Sequence, residues 1–221
     1  MERAIGLFHH MIAAAIVALL AAFLCMPTPA FASSSQGAGD SADVAVFTQG
    51  LIGPAATEKL LGVVDHASGT VQKMQDEARK ATVVDKALKK ARKVSSSTDY
   101  FIAVDLDAKR TVVFKWDGKE WLLEKYWICS VGAPESPTVV GTYEVADRGE
   151  SFSKDGYTCY YYTQFFGNYL FHSVKYDEGT KHVQDGRLGK AVSEGCVRLK
   201  IKNAKWIYDT IPSGTRVVTY E

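Results

Sequence analysis

The sequence predicts a mainly β domain over residues 98–221, preceded by a helical spacer over 54–94. Three observations carry this. After Thr98, apolar, β-branched and aromatic residues come in short runs separated by turn signals. Asp117-Gly118, a hairpin dipeptide, sits between two such runs. Apolar residues at three- and four-residue steps are confined to 54–94 and to one short stretch after Cys196.

Taken in order, residues 1–32 read as a targeting segment. Arg3 supplies the leading charge, and Met11 to Cys25 is an apolar run without a charged residue. Pro27-Thr28-Pro29 breaks the run, and Ala30-Phe31-Ala32 fits a cleavage site. Two outcomes stay open: a signal peptide cut after Ala32, or an uncleaved anchor reaching back to Ile5. Either one exports the remainder, to the cell wall or another extracytoplasmic site. Cys25 is a poor lipidation site because Leu24 before it is not small. Residues 33–53 form a linker, rich in Ser, Gly, Ala and Asp up to 47.

Pro54 suits a first helical turn. Val71, Met74, Ala78, Ala81, Val84 and Leu88 then mark one weakly apolar face. Eight basic residues lie between Lys73 and Lys93, against Asp76, Glu77 and Asp85. Such a helix can contact a membrane surface or an anionic wall polymer, or simply present a solvated face. Ser95-Ser96-Ser97-Thr98 ends the pattern.

The β region follows. Strands are expected at Tyr100 to Leu106, Thr111 to Trp116 and Trp121 to Val131, with a turn at Asp107-Ala108-Lys109-Arg110. Residues 147–171 are dense in Tyr and Phe. One short helix is expected at about 203–209, stopped by Pro212 and Gly214, with a last strand from Val217 to Tyr220.

Several classes of function are set aside. The formal net charge is +1, with 47% hydrophobic residues, so overall charge names no partner. No basic surface interleaved with aromatics suggests nucleic acid, and no Gly-rich loop cradles phosphate. No His-Glu-x-x-His or paired Cys-x-x-Cys is present, so neither a metal nor another cofactor is expected. With residues 1–32 removed, Cys129, Cys159 and Cys196 are left, an odd number that implies a free thiol. Cys129 and Cys159 either pair in an oxidising compartment or act as two small buried hydrophobes.

The chemistry concentrates in Ser193-Glu194-Gly195-Cys196-Val197-Arg198-Leu199 and, upstream, Phe171-His172-Ser173. A thiol and an imidazole are the minimum parts of a cysteine nucleophile. Gly195 permits close backbone approach, so that N–H groups around Cys196 can face a developing oxyanion. Arg198 can favour the thiolate or hold a carboxylate. Ser193 reads as a turn residue. His182 is the rival base, but it lies in a polar loop, Asp177 through Gly186, that reads as mobile and solvated.

These two segments resemble the active-site signature of the L,D-transpeptidase family, the YkuD-type catalytic domain. Val139-Val140-Gly141-Thr142-Tyr143, Asn203-Ala204-Lys205-Trp206-Ile207-Tyr208 and Ser213-Gly214-Thr215-Arg216-Val217-Val218 match further parts of it in the same order. The resemblance implies a compact β domain with one short helix after the active-site cysteine, Cys196 as nucleophile and His172 as base. It also implies that Ser173 orients the histidine through its carbonyl and that the aromatic hairpin covers the cleft. The implied substrates are peptidoglycan stem peptides joined through a Cys196 thioester, and carbapenems are implied acylating agents. An amine acceptor gives a cross-link, and water gives an L,D-carboxypeptidase. One departure stands out: Glu194 occupies the position where the family usually has His. A carboxylate there either raises the thiol pKa or turns outward to a base such as Arg187 or Lys190. It also motivates a different reading, a catalytically weak wall-binding module.

Overall fold

Alternating β-branched and aromatic residues turn 100–128 into three consecutive antiparallel strands, β1 (Tyr100–Asp105), β2 (Arg110–Trp116) and β3 (Trp121–Ile128). The structure, a computed structural model, describes residues 54–221; the expected targeting segment and linker lie outside the described residues. Both turns are closed by aspartates. The Asp105 carboxylate accepts from Ala108 N–H at 2.7 Å. Asp117 Oδ1 accepts from Lys119 and Glu120 N–H at 2.8 and 2.7 Å.

The third strand was expected to run to Val131 and stops at Ile128. Beyond it the backbone leaves β2 for the cysteine loop. Ser130 and Arg198 exchange backbone hydrogen bonds at 2.9 and 2.8 Å, and β4 (Val131–Gly132) pairs with β11 (Ala191–Ser193). This detour ties the first hairpin to the residues before Cys196.

Two larger sheets carry the domain. The first has the order β3-β2-β1-β13-β5, with β5 (Gly141–Glu144) and β13 (Arg216–Tyr220). The second has the order β10-β9-β7-β8-β12, with β6 alongside β7. Its strands are β6 (Arg148–Lys154), β7 (Tyr157–Phe166), β8 (Tyr169–Ser173), β9 (Lys175–Asp177), β10 (Val183–Asp185) and β12 (Val197–Leu199). The segment read as a mobile loop around His182 is therefore a short β9–β10 hairpin. His182 itself is exposed, as expected for a solvated segment.

One core lies under both sheets and includes Ile102, Val113, Phe165, Phe171, Val197, Leu199 and Val217. Helix α2 (Ile201–Thr210) adds Ala204 and Ile207 to it and ends just before Pro212, close to its predicted limits. Strand alternation sends Phe101, Ala103, Val112 and Phe114 to the other face of the first sheet. That face is covered by α1 (Pro54–Ala91), through Val83, Ala87 and Ala91. Each fully buried Phe stabilises by about 1.5–3 kcal/mol relative to exposure. The sheet meets the last turns of the helix. Of the residues expected on its apolar face, Val71, Met74, Ala78 and Ala81 are exposed and Val84 and Leu88 are half-buried. The stripe that meets the sheet is Val83, Ala87 and Ala91, one residue around the helix and confined to the last turns.

Candidate active site

Strands β8 and β12 run parallel, with Phe171 opposite Val197, His172 opposite Arg198 and Ser173 opposite Leu199. Phe171, Val197 and Leu199 fill the core. Alternation then turns His172 and Arg198 to the opposite face, with Cys196 one residue ahead of β12. Two segments 24 residues apart in sequence thus bring imidazole, guanidinium and thiol to one side of one strand pair.

His172 is buried, and its Nδ1 lies 2.6 Å from the Ser173 carbonyl. A carbonyl only accepts, so Nδ1 carries the proton and Nε2 keeps the lone pair. The Ser173 side chain does separate work. Its Oγ accepts from Tyr160 N–H at 2.8 Å and donates to Val174 O at 2.8 Å. This fills the ladder where β7, kinked at Tyr161 with φ +55°, changes partner from β9 to β8. Burial holds the His172 pKa down at about 4, with the Ser173 hydrogen bond opposing and the Arg198 and Lys175 charges adding to the fall. The Phe152 ring of β6 stands edge-on to the imidazole, centroids 5.4 Å apart.

Cys196 is half-buried, and its Sγ donates to Asn168 O at 3.5 Å. Burial raises the thiol, the Leu170 N–H and the Arg198 charge act the other way, and Glu194 adds to the rise. Burial thus disfavours the charged form of both groups, the thiolate of Cys196 and the imidazolium of His172. The loop before it is fixed from both sides. Ser193 Oγ donates to Cys196 O at 2.6 Å and accepts from Gly195 N–H at 3.2 Å. Thr138 Oγ1 donates to Gly195 O at 2.7 Å and accepts from Gly132 N–H at 2.8 Å. The Gly195 N–H, expected to face an oxyanion, is thus engaged within the loop. Gly195 has φ +110°, and a Cβ there would lie 2.7 Å from the Tyr169 ring, so only glycine fits.

Arg198 is 3% exposed and gives Nη1 to Asp185 Oδ2 at 2.9 Å, in a part-buried pair. Asp185 also takes Nε and Nη2 of Arg187, both at 2.9 Å. Arg198 does hold a carboxylate, but one from β10, while its Nε is buried without a partner. Arg187 is thereby committed to Asp185, and Glu194 pairs elsewhere than expected. Glu194 Oε2 lies 2.7 Å from Lys154 Nζ, and Oε1 lies 3.6 Å from Lys175 Nζ. His182 Nδ1 pairs with Asp177 at 2.6 Å at the surface. Cys129 and Cys159 are buried free thiols. No cluster able to hold a metal occurs among the described residues.

A family model described as the L,D-transpeptidase catalytic domain (YkuD) matches residues 99–219. The chain belongs to this L,D-transpeptidase family. Its domain is 38% identical over 91 residues to the Bacillus subtilis (strain 168) protein named "Putative L,D-transpeptidase YciB". That match covers 38% of this chain and 47% of the relative, so the chain spans about half the length of the curated protein it matches. A solved structure from Clostridium acetobutylicum ATCC 824 is 38% identical, with TM-score 0.51 over 63% of this chain and 59% of that one. It is a fused Zn-dependent amidase/peptidase/peptidoglycan-binding domain-containing protein. An L,D-transpeptidase from Mycobacterium smegmatis is 22% identical, with TM-score 0.45 over 56% of this chain and 59% of that one.

Sequence reasoning on the L,D-transpeptidase domain missed Asp185, Lys154, Lys175, Phe152, Thr138 and Asn168. Asp185 sat in a segment of mixed charge, and Lys154 lay within the stretch 147–171 that drew notice only for its aromatics. Neither position signals a partner, because each pairs across strands distant in sequence.

Proposed function

We propose that the protein is an exported L,D-transpeptidase that acylates Cys196 with a peptidoglycan stem peptide. The observation that carries the reading is the His172 ring, with Nδ1 satisfied by the Ser173 carbonyl and Nε2 left as a base on the Cys196 side of the β8–β12 pair. Nε2 takes the thiol proton as Sγ attacks the carbonyl carbon after an L-centre, such as a diaminopimelate, in the stem. Sγ rotates away from Asn168 O to make this attack. Backbone N–H groups at Gly195 and Cys196 receive the oxyanion, which for Gly195 requires release from Ser193 Oγ. The C–N bond breaks, the terminal D-residue leaves with the proton from His172, and a thioester is formed.

An amine of a second stem then attacks the thioester and gives the cross-link. Water in its place makes the same site an L,D-carboxypeptidase. A carbapenem acylates the same Sγ by ring opening. No cofactor takes part in any of these steps. The basic stretch of α1 fits contact with an anionic wall polymer or membrane surface, and residues 1–32 direct export. Among the described residues no helix is long and apolar enough to cross a membrane.

The second reading is a wall-binding module, favoured by the raised thiol and by the carboxylate of Glu194 beside it. Intact-mass analysis of the purified protein with a tetrapeptide stem or a carbapenem separates the two. An adduct lost in Cys196→Ala and slowed in His172→Ala supports the transferase. A folded protein with a free Cys196 thiol and no adduct moves the assignment to the binding module.

A further inference from the structure

Glu194 is the residue at which this chain leaves the family pattern, and its carboxylate is met by two lysines from different strands. Lys154 is the last residue of β6, and Lys175 is the first of β9. The Lys175 side chain is only 17% exposed and lies over the Tyr157 ring, 3.6 Å from its centroid. Tyr157 is the register partner of Lys154 across the hairpin. The cluster thus joins the tip of the β6–β7 hairpin to the loop that carries Cys196.

Among the described residues strand β6 pairs with β7 alone, so its other edge carries no ladder from them. Phe152 and Lys154 are two residues apart on β6 and share a face. That face meets His172 through Phe152 and Glu194 through Lys154. The Lys154–Glu194 ion pair is thus a direct tie between this edge strand and the cysteine loop.

We propose that Glu194 is a positioning residue that clasps the free edge of the aromatic hairpin to the cysteine loop through Lys154, with Lys175 as support, and so fixes the wall against which the acyl donor seats. This rests on the transpeptidase reading for the donor, while the clasp itself stands on the ion-pair geometry. The carboxylate that departs from the family pattern is then a fastening, and the base remains His172.

The test uses the purified protein with Glu194→Gln, Lys154→Gln and the double substitution. Backbone hydrogen exchange over 148–154 is expected to speed up about two- to fivefold in each single variant, the range an exposed ion pair supports. The double variant is expected to exchange no faster than either, because one interaction is lost once. KM for a stem-peptide donor rises by a similar factor in each, with kcat changed less. A purely electrostatic role gives a different pattern. Glu194 raises and Lys154 lowers the Cys196 thiol, so the two variants would shift its alkylation by iodoacetamide in opposite directions and leave exchange unchanged. Unchanged exchange, faster exchange in only one single variant, or an additive double variant overturns the clasp. Exchange needs no acyl donor, so failure of the transpeptidase reading is seen separately, as absence of an adduct.

Discussion

The Nδ1–H of His172 is held by the carbonyl of the very next residue, Ser173, at 2.6 Å. Backbone fixes the tautomer here, so no third side chain is needed to orient the imidazole. Burial also keeps this ring neutral until the pH falls to about 4. The base form is present above that pKa and is lost as the pH drops through it. Acylation of Cys196 by a stem peptide should therefore stay level from about pH 5 to about pH 8 and fall off near 4. Alkylation by iodoacetamide reads thiolate alone and should keep climbing beyond pH 9.0, the ordinary thiol value, because burial raises this thiol. Stopped-flow rates across this range check both limbs. A plateau of alkylation by neutral pH would mean a resting thiolate–imidazolium pair instead.

Gly195→Ala combines a left-handed backbone with a side-chain collision at Tyr169. A strained φ costs about 1–3 kcal/mol before any clash is counted. The variant should lose at least that much stability by urea unfolding. On the proposed function it should also acylate more slowly, because its displaced loop carries Cys196.

Among the described residues Asp185 supplies the one carboxylate paired with the buried Arg198. Asp185→Asn leaves that guanidinium without its counter-charge, a change that costs about 3 kcal/mol when such a pair is broken. Chemical denaturation measures the loss. Arg187→Gln removes only the exposed arm of the network, which is 58% exposed, and should cost less than about 1 kcal/mol.

Cys129 and Cys159 are buried, unpaired, and pushed up to about 12 by desolvation. A chromogenic thiol reagent should titrate Cys196 alone among the described cysteines of the native protein, and all three after unfolding. Non-reducing and reducing unfolding curves should coincide. A shift between them would reveal the disulfide that the odd cysteine count left open.

Much of this architecture was legible because it depends on local rules. Asp117-Gly118 and the alternating runs around it became β2, its turn and β3, and the Cys196 and His172 segments became paired strands. The end of β3 was missed because the pull on Cys129 to Gly132 comes from Arg198 and β11, far along the chain. The apolar face of α1 was misplaced for a similar reason. Its periodicity continues past the sheet, and on the last turns the small residues Ala87 and Ala91 with Val83 face the sheet while the larger Leu88 lies at the edge of the contact. The polar segment around His182 looked like loop because strands β9 and β10 are only three residues each and carry few apolar side chains to announce them. Glu194 carried a visible question in the sequence. Its answer lay in Lys154 and Lys175, which only the folded sheet brings together.

Strand β13 lies in the interior of the first sheet, parallel to β1, with Phe101 beside Arg216 and Asp105 beside Tyr220. The opening strand of the domain therefore waits for the closing one, and more than a hundred residues must be threaded and brought back before that sheet has its middle. Folding of this kind is slow to nucleate, since distant strands must meet before either gains much. A chain emerging one end first holds its cysteine and histidine strands before the sheet beneath them is complete. Completion of the domain is thereby deferred until residues 216–220 arrive.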